Sequence, residues 1–373
     1  MKLNVKQPDL SKALQAVSRA IPKRSTLPVL HNVLLTASNG DLKLSTTNLD
    51  WSITTRIGVQ TEEHGTLTVP FRSLKDLVAS LPKGEPIWLT NEEETLHLRS
   101  GQFQTSLAGI TAEEFPIIPT LDEETAVPLP AKELFEAIHQ VAFCAAEDEA
   151  RPVLTNIVMF LEGHQMILVA TDGFRLGERK VKLPTKVVAP LKLLIPAKAM
   201  KEFVKVIGKE PGGEIRLSVI PDKFISVFQS GSVELFARLD EGKYPDYEAI
   251  LPKHHTTQVT VSTAEFLNAC KILRKIKNNR PELVLKVTEG DLTLVANDID
   301  KIVDARQIKL PATLWVGKPM DIAFNQTYLL EGLGAISTPE VALKLTTPNS
   351  PGVLRPVGKD DYLYLLMPMH LGK

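Results

Sequence analysis

Asp9-Leu10-Ser11-Lys12-Ala13-Leu14-Gln15-Ala16-Val17 recurs twice further along the chain. It returns 124 positions on as Glu133-Leu134-Phe135-Glu136-Ala137-Ile138-His139-Gln140-Val141. It returns again, 132 positions later, as Glu265-Phe266-Leu267-Asn268-Ala269-Cys270-Lys271-Ile272-Leu273. Within each copy, apolar or small residues stand at i, i+3, i+4 and i+7, the spacing of one buried helix face. The acid comes first, where the helix dipole favours it. An amphipathic helix is common, but three copies at domain-sized spacing mean that the chain is built by repetition.

The segments around the helix repeat in the same order. Pro28-Val29-Leu30-His31-Asn32-Val33 returns as Pro152-Val153-Leu154-Thr155-Asn156-Ile157, and Thr47-Asn48 as Thr171-Asp172, both at an offset of 124. Val69-Pro70 returns as Ile195-Pro196, Ser100-Gly101 as Ser230-Gly231, and Phe115-Pro116 as Tyr244-Pro245. In the first block the patterns predict a strand over Lys2–Val5 and a helix running to about Ile21. Further strands are predicted over Val29–Ala37, Leu42–Thr46, Trp51–Val59 and Thr66–Val69. A second helix over Phe71–Leu81 follows Pro70, and strands at Ile87–Thr90, Thr95–Arg99 and Phe103–Ala108 close the block. The third block keeps a strand at Leu292–Ala296, a helix near Asn325–Ile336 and a final strand at Tyr362–Met367. The expectation is an α+β chain of three tandem domains, 1–124, 125–252 and 253–373, each with two helices and antiparallel sheets. The period is too long for a solenoid. Like domains in tandem reuse one interface, which makes an arc or a ring an open possibility.

Composition excludes several classes. The 373 residues are 43% hydrophobic and 23% charged, ordinary values for a globular protein. No apolar run is long enough to cross a bilayer, and Lys2, Lys6 and Asp9 interrupt any leader-like start, so cytoplasm is the expected compartment. Cys144 and Cys270 make no disulfide framework and read as buried thiols. There is no phosphate loop, no H-E-x-x-H and no C-x-x-C, so neither metal nor cofactor is expected. The eight histidines are scattered and no titratable cluster converges, which argues against an enzyme.

The basic residues carry more information than the net charge of −1. Lys12, Arg19 and Lys23 fall on one stripe opposite Leu10, Leu14 and Val17. Lys198, Lys201, Lys205 and Lys209 form another, opposite Met200, Phe203, Val204 and Ile207, and Lys271, Arg274 and Lys275 a third. Any one stripe taken alone reads more readily as a solvated face. Three related stripes point to a positive surface suited to phosphates without base readout. The apolar end Leu363-Tyr364-Leu365-Leu366-Met367-Pro368-Met369-His370-Leu371 reads as a core strand or as a Met-lined groove for varied partners. On residues alone, a multi-domain interaction scaffold with no DNA role is the competing reading.

Several motifs together resemble a known family. They are Thr26-Leu27-Pro28-Val29-Leu30-His31-Asn32, Arg99-Ser100-Gly101, Ala170-Thr171-Asp172-Gly173-Phe174-Arg175-Leu176, Tyr244-Pro245-Asp246-Tyr247 with Leu251-Pro252, and Met367-Pro368-Met369. Their order and spacing resemble the bacterial DNA polymerase III β subunit, the replicative sliding clamp. The resemblance implies a head-to-tail homodimer closing into a ring, with helices lining a hole for duplex DNA. It also implies a partner-peptide cleft for the replicative polymerase, the clamp loader and other clamp-binding proteins. The matching cleft positions are Leu154, Thr171, Gly173, Phe174, Arg175, Leu176, Pro245, Ile250, Leu365, Leu366, Met367, Pro368 and Met369. The bases of the three stripes, together with Arg24, are the implied DNA-facing set, and Ile272 and Leu273 the implied dimer contact. Glu248-Ala249, Phe174 and His370 depart from the family's usual residues, which bears on the charge of the cleft rim.

Overall fold

The founding segment forms α1 (Gln7–Val17), with Pro8 and Asp9 in its first turn and Leu10, Ala13, Leu14 and Val17 buried. Burying the three larger side chains contributes roughly 1.5–3 kcal/mol each. The helix stops four residues earlier than its pattern predicts. The Thr46 hydroxyl donates to the Val17 carbonyl, a 3-10 turn covers Ser18–Ala20, and Pro22 bars continuation. Lys23 therefore lies beyond the helix, and the stripe predicted to include it ends at Arg19.

The computed structural model describes residues 1–119, 126–148, 150–208, 213–275, 281–296 and 306–370. The first block holds β1 (Lys2–Lys6), α1, β2 (Asn32–Ser38), β3 (Asp41–Thr47), β4 (Trp51–Gly58), β5 (Gln60–Glu63) and β6 (Gly65–Pro70). It continues with α2 (Phe71–Ser80), β7 (Pro86–Glu92), β8 (Thr95–Ser100) and β9 (Phe103–Ala108). The second block holds β10 (Val127–Pro130), α3 (Ala131–Val141), β11 (Asn156–Glu162), β12 (Gln165–Thr171) and β13 (Arg175–Lys182). It ends with β14 (Leu191–Pro196), α4 (Ala197–Ile207), β15 (Glu214–Ile220), β16 (Ile225–Ser230) and β17 (Val233–Arg238). The third holds β18 (Thr257–Ser262), α5 (Thr263–Arg274), β19 (Glu282–Thr288), β20 (Asp291–Ala296) and β21 (Arg306–Pro311). After these come β22 (Leu314–Gly317), β23 (Met320–Asn325), α6 (Gln326–Gly334), β24 (Glu340–Leu345), β25 (Gly352–Pro356) and β26 (Tyr362–Leu366).

Side chains start the third block's helices. Ser262 Oγ accepts the Glu265 N–H in a Ser-x-x-Glu sequence, and Asn325 Oδ1 accepts from Thr327 and Tyr328.

Two compact units result, one of residues 1–132 with 199–240, the other of residues 133–198 with 241–373. In the first, one sheet runs β5-β1-β7-β8-β9 and another β10-β15-β16-β17-β4-β3-β2-β6. The second contains β14-β11-β12-β13-β26-β25-β24-β18-β22 and β21-β20-β19-β23. The units do not coincide with the sequence blocks, because antiparallel pairing crosses the block boundaries. β17 of the second block pairs with β4 of the first, and β26 of the third with β13 of the second. The repeat is one of elements; compactness follows the joined sheets.

Candidate partner cleft and basic helix faces

The β12–β13 turn is built by its own side chains. Asp172 Oδ1 accepts the N–H groups of Phe174 (2.8 Å) and Arg175 (3.0 Å), and Thr171 Oγ1 accepts that of Gly173 (3.0 Å). Gly173 sits at φ +92°, where a side chain is disfavoured, and its Cα faces the Arg151 guanidinium. The turn leaves Phe174 57% exposed. At the neighbouring segment the Met367 N–H donates to the Phe174 carbonyl (2.9 Å), which ties the Met367 backbone to the turn.

Beneath this rim lies an apolar floor. Leu176 and Leu365 stand opposite each other across the β13–β26 pair and pack with Val169, Tyr247, Val353 and Leu363. Leu154 packs with Val158, Leu194 and Tyr244. Tyr244 holds the turn from below, its hydroxyl accepting the Thr171 N–H at 3.1 Å, and burial pushes its pKa well above the usual range, so it stays protonated. A 3-10 turn over Glu248–Ile250 follows Tyr247 and exposes Ile250, and Pro245 is also exposed. Met369 donates its N–H to Ala323 (2.8 Å) and packs on Val284, Val295 and Ala323. Phe174, Ile250 and Met367 are exposed while Leu176 and Leu365 are buried, a candidate set for taking up apolar side chains.

Two expected cleft residues have a different role. Side chains alternate along a strand, so Arg175 and Leu366, paired in register, lie on the opposite face from Leu176 and Leu365. Arg175 is 8% exposed, binds Asp172 through Nε (3.0 Å) and Glu331 through a guanidinium nitrogen, and stacks over Tyr328 at 4.3 Å. Its part is to fix the turn that presents Phe174. Asp172, Tyr244, Tyr328 and Glu331 were absent from the sequence-derived set. The Thr-Asp-Gly turn pattern carries a local signal for Asp172; Tyr328 and Glu331 come from about 150 residues away and carry none.

Of the bases, Lys12, Arg19, Lys23, Arg24, Lys198, Lys205, Lys271, Arg274 and Lys275 are exposed. Lys209 lies outside the described residues. Lys201 is half-buried. Glu202 neutralises part of the α4 stripe, lying 2.6 Å from Lys205 and 3.4 Å from Arg19. Lys12, Arg19 and Lys205 nevertheless line one open groove of about 730 Å³ between α1, α4 and the β4–β17 pair. The expected contact pair Ile272–Leu273 splits. Leu273 is 2% exposed, inside the same helix face as Phe266 and Cys270, so its side chain is unavailable to a second copy; Ile272 is 49% exposed.

Comparison with known proteins gives one family over the length of the chain. Residues 1–119, 128–246 and 248–370 match the N-terminal, central and C-terminal domains of the DNA polymerase III beta subunit. A beta sliding clamp of Synechococcus elongatus is 34% identical over 379 residues, covering all of both chains. The beta sliding clamp of Bacillus subtilis is 27% identical and covers 99% of each. Among solved structures, the DNA polymerase III subunit beta of Pseudomonas aeruginosa superposes with a TM-score of 0.92 at 27% identity, covering 99% of this chain and 100% of that one. The B. subtilis sliding clamp, at 24% identity and full coverage of both chains, shares the fold with a TM-score of 0.93. The chain belongs to the DNA polymerase III beta subunit family, the bacterial beta sliding clamps.

Proposed function

We propose that the protein is a non-catalytic DNA sliding clamp of the cytoplasm, a head-to-tail homodimer of three clamp domains per chain (1–124, 125–252 and 253–373) that encircles duplex DNA. The observation that carries this reading is a strand junction made twice. β4 pairs with β17 and β13 with β26, each time the same edge of one block against the same edge of the next. Among the described residues, the third copy of the first edge, β21, and the first copy of the second, β9, end their sheets. A second chain that supplies the missing neighbour at each edge closes the assembly, and closure removes both open edges.

A closed ring holds DNA by topology. Phosphate contacts from exposed lysines and arginines need supply only weak, sliding affinity, which is compatible with a net charge of −1. The apolar cleft receives short linear peptides of the replicative polymerase, the clamp loader and other partners, its buried floor taking their anchor side chains. The competing reading, a scaffold without DNA, predicts no topological retention.

The experiment is loading onto nicked circular duplex followed by gel filtration. Clamp that co-elutes with the circle and is released on linearisation supports the ring; equal retention on linear DNA refutes it. Deleting residues 367–373 should abolish binding of a polymerase-derived peptide while the dimer survives, and a truncated chain with parental peptide affinity would exclude this cleft.

A further inference from the structure

The turn that presents Phe174 has a twin in the first block. Thr47-Asn48-Leu49-Asp50-Trp51 lies 124 positions before Thr171-Asp172-Gly173-Phe174-Arg175, and its hydrogen bonds are the same. Thr47 Oγ1 accepts the Leu49 N–H (3.1 Å), and Asn48 Oδ1 accepts those of Asp50 (3.1 Å) and Trp51 (2.9 Å). The Arg238 N–H donates to the Asp50 carbonyl at 2.9 Å, as Met367 does to Phe174. Strand register agrees as well: Trp51 faces Ala237 and Ser52 faces Phe236, where Arg175 faces Leu366 and Leu176 faces Leu365. Phe115-Pro116 stands for Tyr244-Pro245. The junction that makes the partner cleft is therefore built a second time.

This second junction is also concave. A depression of about 240 Å³ is lined by Leu49, Trp51, Ile117, Phe236, Lys223 and Arg238, among others. Its side chains differ from the first cleft in two ways. Leu49, at φ +77° and 50% exposed, stands where the first cleft has Gly173, and with Ile117 (88% exposed) it offers apolar surface to solvent. A leucine held in the left-handed region is a strained conformation of the kind that collects at binding sites. Lys223 and Arg238 face a single acid of the lining, Asp50, and neither base has an ion-pair partner among the described residues.

We propose that this depression is a second peptide-binding cleft, selective for an acidic segment that carries one apolar anchor. The anchor rests on Leu49, Ile117 and Phe236, and the carboxylate pairs with Arg238 and Lys223. The inference rests on reading the Phe174–Met367 region as a partner cleft, because equivalence to that region gives the depression its role.

The test is methyl NMR of the full chain, titrated to about 10 mM, the upper range of weak binding, with N-acetyl-Asp-Leu-Phe-amide and with its Asn-Leu-Phe analogue. Ile117 and Ile225 report the second cleft and Ile250 the first. Saturable shifts at Ile117 and Ile225 are expected, with binding up to roughly fivefold weaker for the Asn probe and in Arg238→Glu, as for loss of one exposed ion pair. Leu49→Gly should weaken the same shifts, and Arg238→Glu should leave the Ile250 response intact. Unmoved Ile117 and Ile225, or shifts equal for both probes and unchanged in Arg238→Glu, overturn the proposal. Movement of Ile250 alone refutes the second cleft and leaves the first standing; movement of Ile117 without Ile250 supports the second and counts against the first.

Discussion

Arg175 exemplifies how single residues set this site. It is buried, yet fully engaged: Asp172 and Glu331 balance its charge while Tyr328 and Phe143 cover its faces. Truncation strands two carboxylates beside an apolar face, and breaking such a pair typically costs about 3–5 kcal/mol when fully buried. The pair with Glu331 is partly exposed, which lowers the figure, so Arg175→Ala should lose about 2 kcal/mol in urea unfolding. It should also weaken peptide binding by misplacing Phe174. Arg175→Lys should rescue charge but not the planar stack, and so restore only part of the stability. The family motif names Arg175, and the turn residues that hold it are legible beside it. Its counter-ion is not, since Glu331 reaches it only after β26 and α6 have packed.

Among the elements, α6 shows where packing leaves no latitude. A Cβ built on Gly332 would lie 2.1 Å from the Tyr364 ring, whereas one on Gly334 meets nothing. Gly332→Ala should therefore cost about 1–3 kcal/mol through overpacking, and Gly334→Ala should be neutral or slightly stabilising, both read from thermal melts. Loss of Gly332 also threatens the cleft, because the Tyr364 hydroxyl ties β26 to the Tyr328 carbonyl at 2.8 Å. The α4 stripe is a weaker element than its spacing implies. Glu202 sits inside it, so replacing Lys198, Lys201 and Lys205 by Ala exposes an acid as well as removing bases. Salt-dependent association with DNA should fall in that triple variant, with the slope of log K against log salt shallower by up to about 3. An unchanged slope would remove this helix from the DNA-facing surface. Strand and helix positions were largely readable from periodicity and repetition in the first two blocks, and in the third only for α5, β20, α6 and β26; α1 ended early because a threonine from a distant strand claimed its last carbonyl.

For the whole molecule, the two junctions inside the chain predict the one between chains. Carrying the β13–β26 register, in which Glu178 faces Leu363, onto β21 and β9 through the repeat sets Gln307 opposite Gln104 of a second copy. Gln104→Cys with Gln307→Cys should thus cross-link under mild oxidation to a product of twice the 41.1 kDa chain, while either single variant should not. The native thiols interfere little, because Cys144 and Cys270 are both buried and burial pushes the Cys270 pKa up. Monomer in the double variant would contradict the shared register. Separation of the chains by dilution should likewise abolish retention on circular DNA, since topology and not affinity is the proposed source of binding.

Sequence alone determined that three related α+β units follow one another, which helix faces are buried, and where the turns recur, because periodicity and turn chemistry are local. It also carried the family, through motifs of fixed order. Only the tertiary structure decided which strand edges meet, since hydrogen bonding between edges has no signature in either strand. That one fact moved the compact units off the block boundaries and turned Arg175 and Leu366 away from the cleft floor. The same fact revealed a second copy of the junction at Leu49 and Arg238. The helix at Asp9–Val17 was legible from the start; the role of its basic face depends on the groove that β4, β17 and α4 build around it.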